Sequence, residues 1–270
     1  QVRKTRAGQV HICYCHTPIR YYWSHYDEYK KDPGFGRLNW LVRLMMPLMV
    51  PGLKRADYEA AQHIDVFIAN STEVQKRITR YYGQPSTVVH PPVDIDRFAP
   101  SKERADYYVA IGRQVPYKRI DLAVAAATKL SLPLRVYGSG SEHDRLVAMA
   151  GPTVEFFTER FGNASDKAVA EALNQAKGVI FPAEEDFGIV QVEAMAAGAP
   201  VVAYAKGGSL DIVQDGESGV LFDEQTANAV AAAIERLDSI SFSPALLRRK
   251  AKRFSKELFI MKLHKIVLSL

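Results

Sequence analysis

The chain has 270 residues, enough for one large or two medium domains, and its 47% apolar and 24% charged content is that of an ordinary globular protein. The formal charge of +5 suits anionic ligands, but no basic stripe with interleaved aromatic residues is present, so nucleic acid is excluded from the expected partners. The most apolar stretch, 38–53, is interrupted by Arg43, Pro47 and Pro51 and is too short to span a bilayer.

The first hundred residues combine short apolar runs with amphipathic segments. Ser71 precedes one of these segments and is a good N-cap. Cys13 and Cys15 lie in the first run without the partners of a zinc site, which favours reduced core thiols of a cytosolic protein. The predicted strands are 10–15, 65–69 and 86–89, and the predicted helices are 38–46, 54–62 and 72–82.

His16 follows the first predicted strand directly, and Arg20 lies nearby in the sequence. Ligands of parallel α/β sheets bind at the carboxyl ends of the strands, which favours a functional role for this histidine. A lone histidine is more often structural, so the residues alone leave both interpretations open.

The segment 37–55 contains an apolar stripe flanked by basic residues. One interpretation is an interfacial segment that touches a lipid-linked acceptor or an anionic membrane. The other, which the sequence favours, is a helix packed within the N-terminal domain. The stripe consists of Leu38, Trp40, Leu41, Leu44, Met45, Leu48 and Met49.

From residue 106 onward, short runs of valine, isoleucine and leucine alternate with amphipathic segments, which is typical of βα units and a parallel sheet. The stretch His-Pro-Pro-Val at 90–93 cannot be helical and marks a domain boundary. We therefore divide the chain into 1–92, 93–254 and a C-terminal helix, 255–270. The predicted strands are 107–111, 134–137, 154–157, 178–181, 200–203 and 219–222; the predicted helices are 119–130, 142–150, 166–175, 189–197, 209–213, 227–237, 244–254 and 256–270.

Two cations, Arg113 and Lys118, lie in the loop that opens with Gly112 after the first of these strands. Arginine binds phosphate oxygens as a fork and lysine binds them as a point charge, so the pair favours a bound diphosphate. If these two cations were the only signal, a solvated loop with two surface charges would be the better interpretation.

Asp94 and Asp96 imitate a metal-binding Asp-x-Asp, but capping of the following turn is the simpler explanation, and we expect no metal site.

Two carboxylates, Glu185 and Glu193, lie eight positions apart after the strand 178–181. The residues between them would form a loop and the first turn of a helix, whose free N–H groups suit a phosphate. Because eight residues is just over two helical turns, both carboxylates can face one ligand.

The Gly138–Gly140 turn after the strand 134–137 is weak evidence for a nucleotide-binding loop and could be a plain tight turn.

These motifs resemble the retaining glycosyltransferases of family four over most of the chain, from about residue 11 to 254. The specific elements are the Glu-seven-Glu spacing, Phe187-Gly188, Gly112-Arg113 with Lys118, Asn70-Ser71, the Pro-Pro-Val-Asp at 91–94, and Gly207-Gly208. The Cys-His-Thr-Pro at 15–18, with the acidic run before Phe187, is similar to the bacterial mannosyltransferase branch that builds surface polysaccharides.

The resemblance implies the GT-B fold, an α/β architecture of two Rossmann-like domains with parallel sheets. The segment 1–92 would be the C-terminal part of the acceptor-side N-terminal domain, 93–254 the donor-nucleotide domain, and 255–270 a helix packing back on the first domain. The chain starts at Gln1 and shows no early Gly-rich loop, so we expect the N-terminal domain to be incomplete.

The resemblance also implies a role for each motif residue. Four residues would be catalytic. Arg113 and Lys118 would neutralise the departing diphosphate. Glu185 would contact the donor sugar, and His16 would stabilise the transition state. Glu193 would bind the ribose. The remaining donor-binding residues are Phe187, Gly188, Ile189 and Gly112 near the phosphates, and Phe161, Gly162 and Asn163 along the base.

The implied function is transfer of a hexose with retention of configuration, first of all mannose from GDP-mannose, to a glycan or polyprenyl-linked acceptor. Neither metal nor cofactor is expected. The implied location is cytoplasmic, with peripheral contact to the inner face of the plasma membrane through 37–55. The alternatives are a UDP-sugar donor, a nucleotide-sugar epimerase, and a non-catalytic fragment that only binds nucleotide sugar. Gln191 departs from the family pattern, in which proline is common at this position.

Overall fold

The computed structural model describes residues 6, 8–24, 26–31, 36–101, 103–158 and 164–270. The chain divides into two compact units: unit 1 combines Gln1–His90 with Leu263–Leu270, and unit 2 is Pro91–Lys262. Each unit has a parallel sheet of its own, which confirms the α/β class with parallel sheets. The roles assigned to 1–92, 93–254 and 255–270 stay predictions.

In the described part of unit 1, three parallel strands lie in the order β1-β2-β3: β1 (Ile12–Cys15), β2 (Val66–Ala69) and β3 (Ser86–Val88). The helices are α1 (Tyr26–Lys31), α2 (Asn39–Ala61) and α3 (Thr72–Tyr82), and a 3₁₀ turn, Gly36–Leu38, precedes α2. The predicted cap is confirmed, because the Ser71 hydroxyl accepts a hydrogen bond of 3.1 Å from the Val74 N–H at the start of α3.

Helix α2 replaces the two helices that the sequence predicts over 38–46 and 54–62. That prediction was wrong because Pro47 and Pro51 lie inside the helix without ending it. Both prolines are exposed, so water can reach the carbonyl groups whose N–H partners the prolines remove. The helix packs on the unit through Val50 and Ala61, which are 6% and 3% exposed. Among the described residues, no helix has the length and apolar character to cross a membrane.

In the described part of unit 2, six parallel strands lie in the order β6-β5-β4-β7-β8-β9. Of the inner members, β4, β7 and β8 are unbroken apolar runs, and β7 and β8 are buried along their whole length, as expected when helices cover both faces. The strands are β4 (Tyr108–Ile111), β5 (Leu134–Tyr137), β6 (Val154–Phe156), β7 (Gly178–Phe181), β8 (Val201–Tyr204) and β9 (Gly219–Phe222).

Three helices of unit 2, α6, α9 and α10, begin after a residue whose side chain caps them. Ser165, Thr226 and Ser243 each accept a hydrogen bond from the N–H three residues on, at 3.2, 3.1 and 3.4 Å. The helices are α4 (Ile120–Leu130), α5 (His143–Met149), α6 (Asp166–Gln175), α7 (Ile189–Ala196), α8 (Ser209–Ile212), α9 (Ala227–Asp238), α10 (Pro244–Ala251) and α11 (Lys256–Leu268), with 3₁₀ turns at Ile95–Arg97, Pro116–Lys118 and Lys252–Phe254. Helix α11 begins in unit 2, and its last residues, from Leu263, belong to unit 1.

The strand order of unit 2 reverses between β4 and β7. From β4 the chain proceeds outward to β5 and β6, then returns to β7 beside β4 and proceeds the other way to β8 and β9. Such a reversal opens a crevice at the carboxyl ends of the two central strands, where α/β proteins bind their ligands. The fold therefore places the loops after β4 and β7 side by side.

Candidate functional site

Two glycine contacts lock the loops at the carboxyl edge of the unit 2 sheet. A Cβ on Gly138, after β5, would lie 2.0 Å from the Gly112 carbonyl oxygen after β4. A Cβ on Gly207, after β8, would lie 2.2 Å from the Glu185 carbonyl oxygen after β7. Both glycines have positive φ angles, 115° and 62°, so neither position accepts a side chain. Backbone-to-backbone contact thus fixes the loops that hold the predicted cations and carboxylate.

The pair at the centre of the crevice is Lys118 and Glu185. The Lys118 ammonium forms an ion pair with Glu185 Oε1, which joins the loop after β4 to the loop after β7. The side chains are 18% and 20% exposed, so the pair is largely shielded from water but open to a ligand. The structure therefore brings together two residues that the sequence places 67 positions apart.

Tyr117 lies between the two predicted cations and was missed by the sequence reasoning. Arg113 Nη2 donates a hydrogen bond of 2.5 Å to the Tyr117 hydroxyl, and the guanidinium lies 5.8 Å from the ring centre. Lys118 Nζ lies 5.7 Å from the same ring. The ring therefore holds both positive groups on one loop. Its position between the two cations in the sequence was the available signal.

Gln114 is a second residue that the sequence reasoning missed. Its side chain is fully buried; Nε2 donates to the Gly138 carbonyl at 2.6 Å, and Oε1 lies 2.8 Å from His143 Nδ1. The Glu142 N–H donates to the Gln114 backbone carbonyl at 2.9 Å. These bonds join the loop of Arg113 to the Gly138–Gly140 turn, so this turn supports the site rather than only reversing the chain.

The two glutamates have different surroundings, although both lie in unit 2. Glu193, on the second turn of α7, is half-buried near Arg97 and Asp166 at the start of α6. Arg97 Nη2 donates to the Asp166 carbonyl at 2.8 Å. Burial raises the pKa of Glu193 above its ordinary value, with Arg97 opposing the rise and Asp166 adding to it. Glu185 instead pairs with a cation.

Replacing Glu193 by glutamine is expected to raise thermal stability at pH 7. The folded pKa lies above the ordinary value of 4.5, so the folded protein binds this proton more tightly than the unfolded chain, and ionisation costs stability as pH rises. The gain in melting temperature should shrink as pH falls from above the folded pKa towards 4.5. Glu171→Gln, at an exposed position of α6, is the control. A Glu193→Gln variant less stable than the parent at pH 7 would contradict a raised pKa of Glu193 in the folded protein.

The loop before α7 is anchored by Phe187, which is 4% exposed and packs edge-on against Phe254 with ring centres 5.5 Å apart. Gly188 caps the helix in a left-handed conformation, and the Ile189 side chain is 46% exposed. The first N–H groups of a helix have no partners within it, although that of Gln191 donates to the Gly188 carbonyl at 3.0 Å. The geometry therefore leaves backbone donors at the crevice, where the sequence predicts phosphate contacts.

Gln191 lies in the first turn of α7 and is fully buried. Within the described residues, neither of its amide atoms has a hydrogen-bond partner. Its Nε2 lies so close to Gly188 that a Cβ on that glycine would be 2.3 Å away. A buried amide without partners costs about 1–3 kcal/mol, so this departure from the family pattern is a local weakness.

Replacing Gln191 by methionine is therefore expected to stabilise the protein by about 1 kcal/mol, because a side chain of similar length removes the unpaired amide. Urea denaturation measures the change. The matched control is Gln225→Met, which removes a bonded amide, since Gln225 Nε2 donates to the Pro182 carbonyl at 2.8 Å. Gln225→Met should lose stability. If Gln191→Met also lost stability, the Gln191 amide would have partners in solution.

The remaining predicted site residues lie elsewhere. His16 lies in unit 1 directly after β1; it is exposed, and its ring is edge-on to Tyr14 with ring centres 5.3 Å apart. Phe161, Gly162 and Asn163 lie outside the described residues. Among the residues that the structure describes, no group of three or more His, Cys, Asp or Glu side chains is placed to hold a metal ion.

The comparison with known families accounts for this arrangement. Residues 93–256, the greater part of the chain, match the profile of the glycosyl transferases group 1 family. The chain belongs to this family. The matched segment includes the whole described crevice, from Gly112 to Gly208.

A curated relative supports the same assignment. The D-inositol 3-phosphate glycosyltransferase of Mycobacterium sp. (strain JLS) is 33% identical over an alignment that covers 72% of this chain and 49% of the relative. The chain thus spans about half the length of the curated relatives it matches.

Solved structures with lower identity show the fold. Sucrose-phosphate synthase from Thermosynechococcus elongatus has a TM-score of 0.68 at 23% identity, covering 80% of this chain and 61% of that one. Anabaena Alr3699/HepE, solved in complex with UDP and glucose, also has a TM-score of 0.68, at 21% identity, covering 80% of this chain and 67% of that one. The fold of the chain therefore matches GT-B glycosyltransferase structures, as the sequence predicts.

Proposed function

We propose that the chain takes part in transfer of a hexose, with retention of configuration, from a nucleoside-diphosphate sugar to a glycan or lipid-linked oligosaccharide. The observation that carries the proposal is the Lys118–Glu185 ion pair at the strand reversal between β4 and β7. The family assignment of 93–256 supports it.

The ion pair suggests how the donor binds. A diphosphate placed beside Lys118 would compete with Glu185 for the ammonium. When the ammonium turns to the phosphates, the Glu185 carboxylate becomes available to accept hydrogen bonds from sugar hydroxyls. Because the ammonium exchanges a carboxylate for a phosphate and the carboxylate exchanges the ammonium for hydroxyl groups, neither charge is left buried without a partner.

Bond cleavage develops negative charge on the departing diphosphate. Arg113 and Lys118, held on one loop around Tyr117, and the N–H groups at the start of α7 would stabilise that charge. These groups are in place before the reaction, so little reorganisation is needed as the bond breaks. No metal or cofactor is part of the proposal.

Two further roles follow from the family resemblance. Glu193, near the start of α6, would accept hydrogen bonds from the ribose hydroxyls. His16, exposed at the carboxyl end of β1, would stabilise the transition state near the donor sugar. Phe161, Gly162 and Asn163 keep their proposed place along the base.

For the donor we propose GDP-mannose first, because the Cys-His-Thr-Pro at 15–18 and the acidic run before Phe187 resemble the mannosyltransferase branch. A UDP-sugar is the second candidate, supported by Alr3699/HepE, solved with UDP and glucose. The proposed acceptor is a glycan or polyprenyl-linked chain in polysaccharide synthesis. A cytoplasmic location is proposed from the two free thiols, Cys13 and Cys15.

Calorimetric titration of the chain with GDP, UDP and ADP in the absence of metal tests the proposed donor. Selective binding of GDP supports GDP-mannose, and preference for UDP replaces that donor while keeping the reaction class. Binding of none of the three contradicts the proposed donor site in unit 2 and favours a structural role.

A further inference from the structure

Cys13 and Cys15 form a pair of neighbouring thiols on β1 of unit 1. Successive side chains of a strand point to opposite faces, so these two share one face. Tyr14 lies on the other face, and its hydroxyl donates to the Val89 carbonyl at 2.9 Å. A hydrogen bond joins the side chains of Cys13 and Cys15. Since the chain has two cysteines in all, any thiol chemistry of the protein belongs to this pair.

The two thiols differ in their access to solvent. Cys15 is 8% exposed and belongs to the same core cluster of unit 1 as Ala61, Phe67 and Tyr82. Cys13 is half-buried and packs at the margin of that cluster. A dissolved reagent therefore reaches Cys13 first, whereas Cys15 is shielded from the reagent but remains in contact with its neighbour.

The surroundings of Cys13 favour its thiolate. The hydrogen bond from Cys15 lowers the pKa of Cys13 below its ordinary value, although burial opposes the change. The nearby Tyr82 hydroxyl donates to Asp57 at 2.8 Å, and burial together with this bond raises the pKa of Tyr82, so the phenol stays neutral. At neutral pH a larger fraction of Cys13 is therefore nucleophilic thiolate than in an isolated cysteine.

We propose that Cys13 and Cys15 are a redox-active dithiol, which reacts with a small disulfide such as glutathione disulfide and closes a disulfide within β1. The Cys13 thiolate attacks one sulfur of the reagent, whose S–S bond breaks, and one glutathione leaves as a thiolate that takes a proton from water. Cys15 then loses its proton to solvent, and its sulfur attacks Cys13 Sγ and displaces the second glutathione. Two protein thiols are oxidised, and one glutathione disulfide is reduced to two molecules of glutathione.

The geometry of a strand makes the closed disulfide easy to reduce. Cα atoms two residues apart on a parallel strand are separated by about 6.6 Å. This distance is near the upper end of the roughly 4.4–6.8 Å that disulfides bridge, so closure strains β1. Strained disulfides are more readily reduced than structural ones, and disulfides of cytosolic proteins are usually transient. The pair would therefore be a reversible sensor of small disulfides.

Closure of the disulfide would reach the proposed active site through β1. His16 follows Cys15 directly, and the Cys15 carbonyl accepts the Asn70 N–H at 3.3 Å. Because closure draws Cys15 towards Cys13, this end of the strand should shift, and turnover of the nucleotide-sugar donor should fall about tenfold. This consequence rests on the proposed function, whereas the chemistry of the dithiol does not.

Oxidation of the folded chain by glutathione disulfide at pH 7 tests the proposal, with thiol titration and mass spectrometry as readouts. The parent should lose both thiols and the mass of two hydrogens, stay monomeric and carry no glutathione. Dithiothreitol should restore both thiols. Cys15→Ser should instead retain one glutathione on Cys13. Cys13→Ser should react at least about tenfold more slowly than the parent, because Cys15 is buried.

Unfolding in urea is the control for the fold, since two cysteines so close in sequence can meet in any chain. In the folded chain, iodoacetamide should label Cys13 at least about fivefold faster than Cys15. In urea the two rates should be alike. Cys13→Ser, which cannot close the bond, should keep its turnover in the presence of glutathione disulfide.

Three results would overturn the proposal: a stable glutathione adduct on Cys13 of the parent, a disulfide-linked dimer, or equal labelling of the two cysteines in the folded chain. Turnover separates this inference from the proposed function. A reduced chain without turnover would count against the proposed function alone. An oxidised chain that contains the disulfide and keeps full turnover would contradict the coupling of the dithiol to His16.

Discussion

Replacing Lys118 by alanine is expected to lower turnover of the nucleotide-sugar donor by about a hundredfold or more while the fold stays intact. The variant loses a cation beside the leaving diphosphate, and it also leaves the Glu185 carboxylate unpaired at the same place. Both changes raise the free energy of the negatively charged transition state. Initial rates with saturating donor measure the loss, and circular dichroism confirms the fold.

Three further variants separate charge from structure. Lys118→Arg keeps the positive charge and should retain more activity than alanine. Lys129→Ala, on the exposed side of α4, is the matched control and should behave like the parent. The double variant Lys118→Ala with Glu185→Gln should recover part of the GDP affinity, because the uncompensated carboxylate is gone. Normal turnover of Lys118→Ala would remove this residue from the site.

Replacing Gly138 by alanine is expected to cost about 3 kcal/mol or more of folding free energy. The new Cβ would lie 2.0 Å from the Gly112 carbonyl oxygen, and backbone atoms on both sides leave no flexible group to move away. The φ angle of 115° adds strain. The shift of Gly112 would also displace the loop that holds Arg113 and Lys118, so nucleotide affinity should fall together with stability.

Gly83→Ala separates the cost of a left-handed backbone conformation from the cost of a steric clash. Gly83 ends α3 with a φ angle of 65°, but a Cβ there would meet nothing within 4 Å. That variant should lose only about 1 kcal/mol, the cost of a left-handed alanine. Urea denaturation of both variants compares the two effects. Equal losses for Gly138→Ala and Gly83→Ala would mean that the two loops do not depend on close backbone contact.

Much of unit 2 was predictable from the sequence because most strands are apolar runs, such as the fully buried β7 and β8, that alternate with amphipathic segments. The motif residues Lys118 and Glu185 also pointed to one sheet edge, since both follow strands. Their ion pair was not predictable, because the sequence does not give the order β6-β5-β4-β7-β8-β9 that makes β4 and β7 neighbours. The same strand order makes β5 a neighbour of β4, so the contact between Gly138 and Gly112 was not predictable either.

Local patterns misled or failed in two other places. Pro47 and Pro51 predicted a break, but helix α2 continues because both prolines are exposed to water. Gln114 and Tyr117 have no recognisable motif, and their roles come from contacts with groups such as Gly138 and Arg113. Such contacts depend on tertiary packing, which cannot be predicted from the hydrophobic periodicity of a single segment.

The most direct test of the proposed function is proton NMR of the anomeric region while the chain turns over GDP-mannose or a UDP-hexose. The proposed function predicts that the sugar first appears, free or attached to an acceptor, with the anomeric configuration of the donor, and that Lys118→Ala suppresses its appearance. Inversion of the configuration would contradict retention. An intact nucleotide sugar with altered sugar stereochemistry would indicate an epimerase, and no consumption of either donor would contradict the assignment of an enzyme.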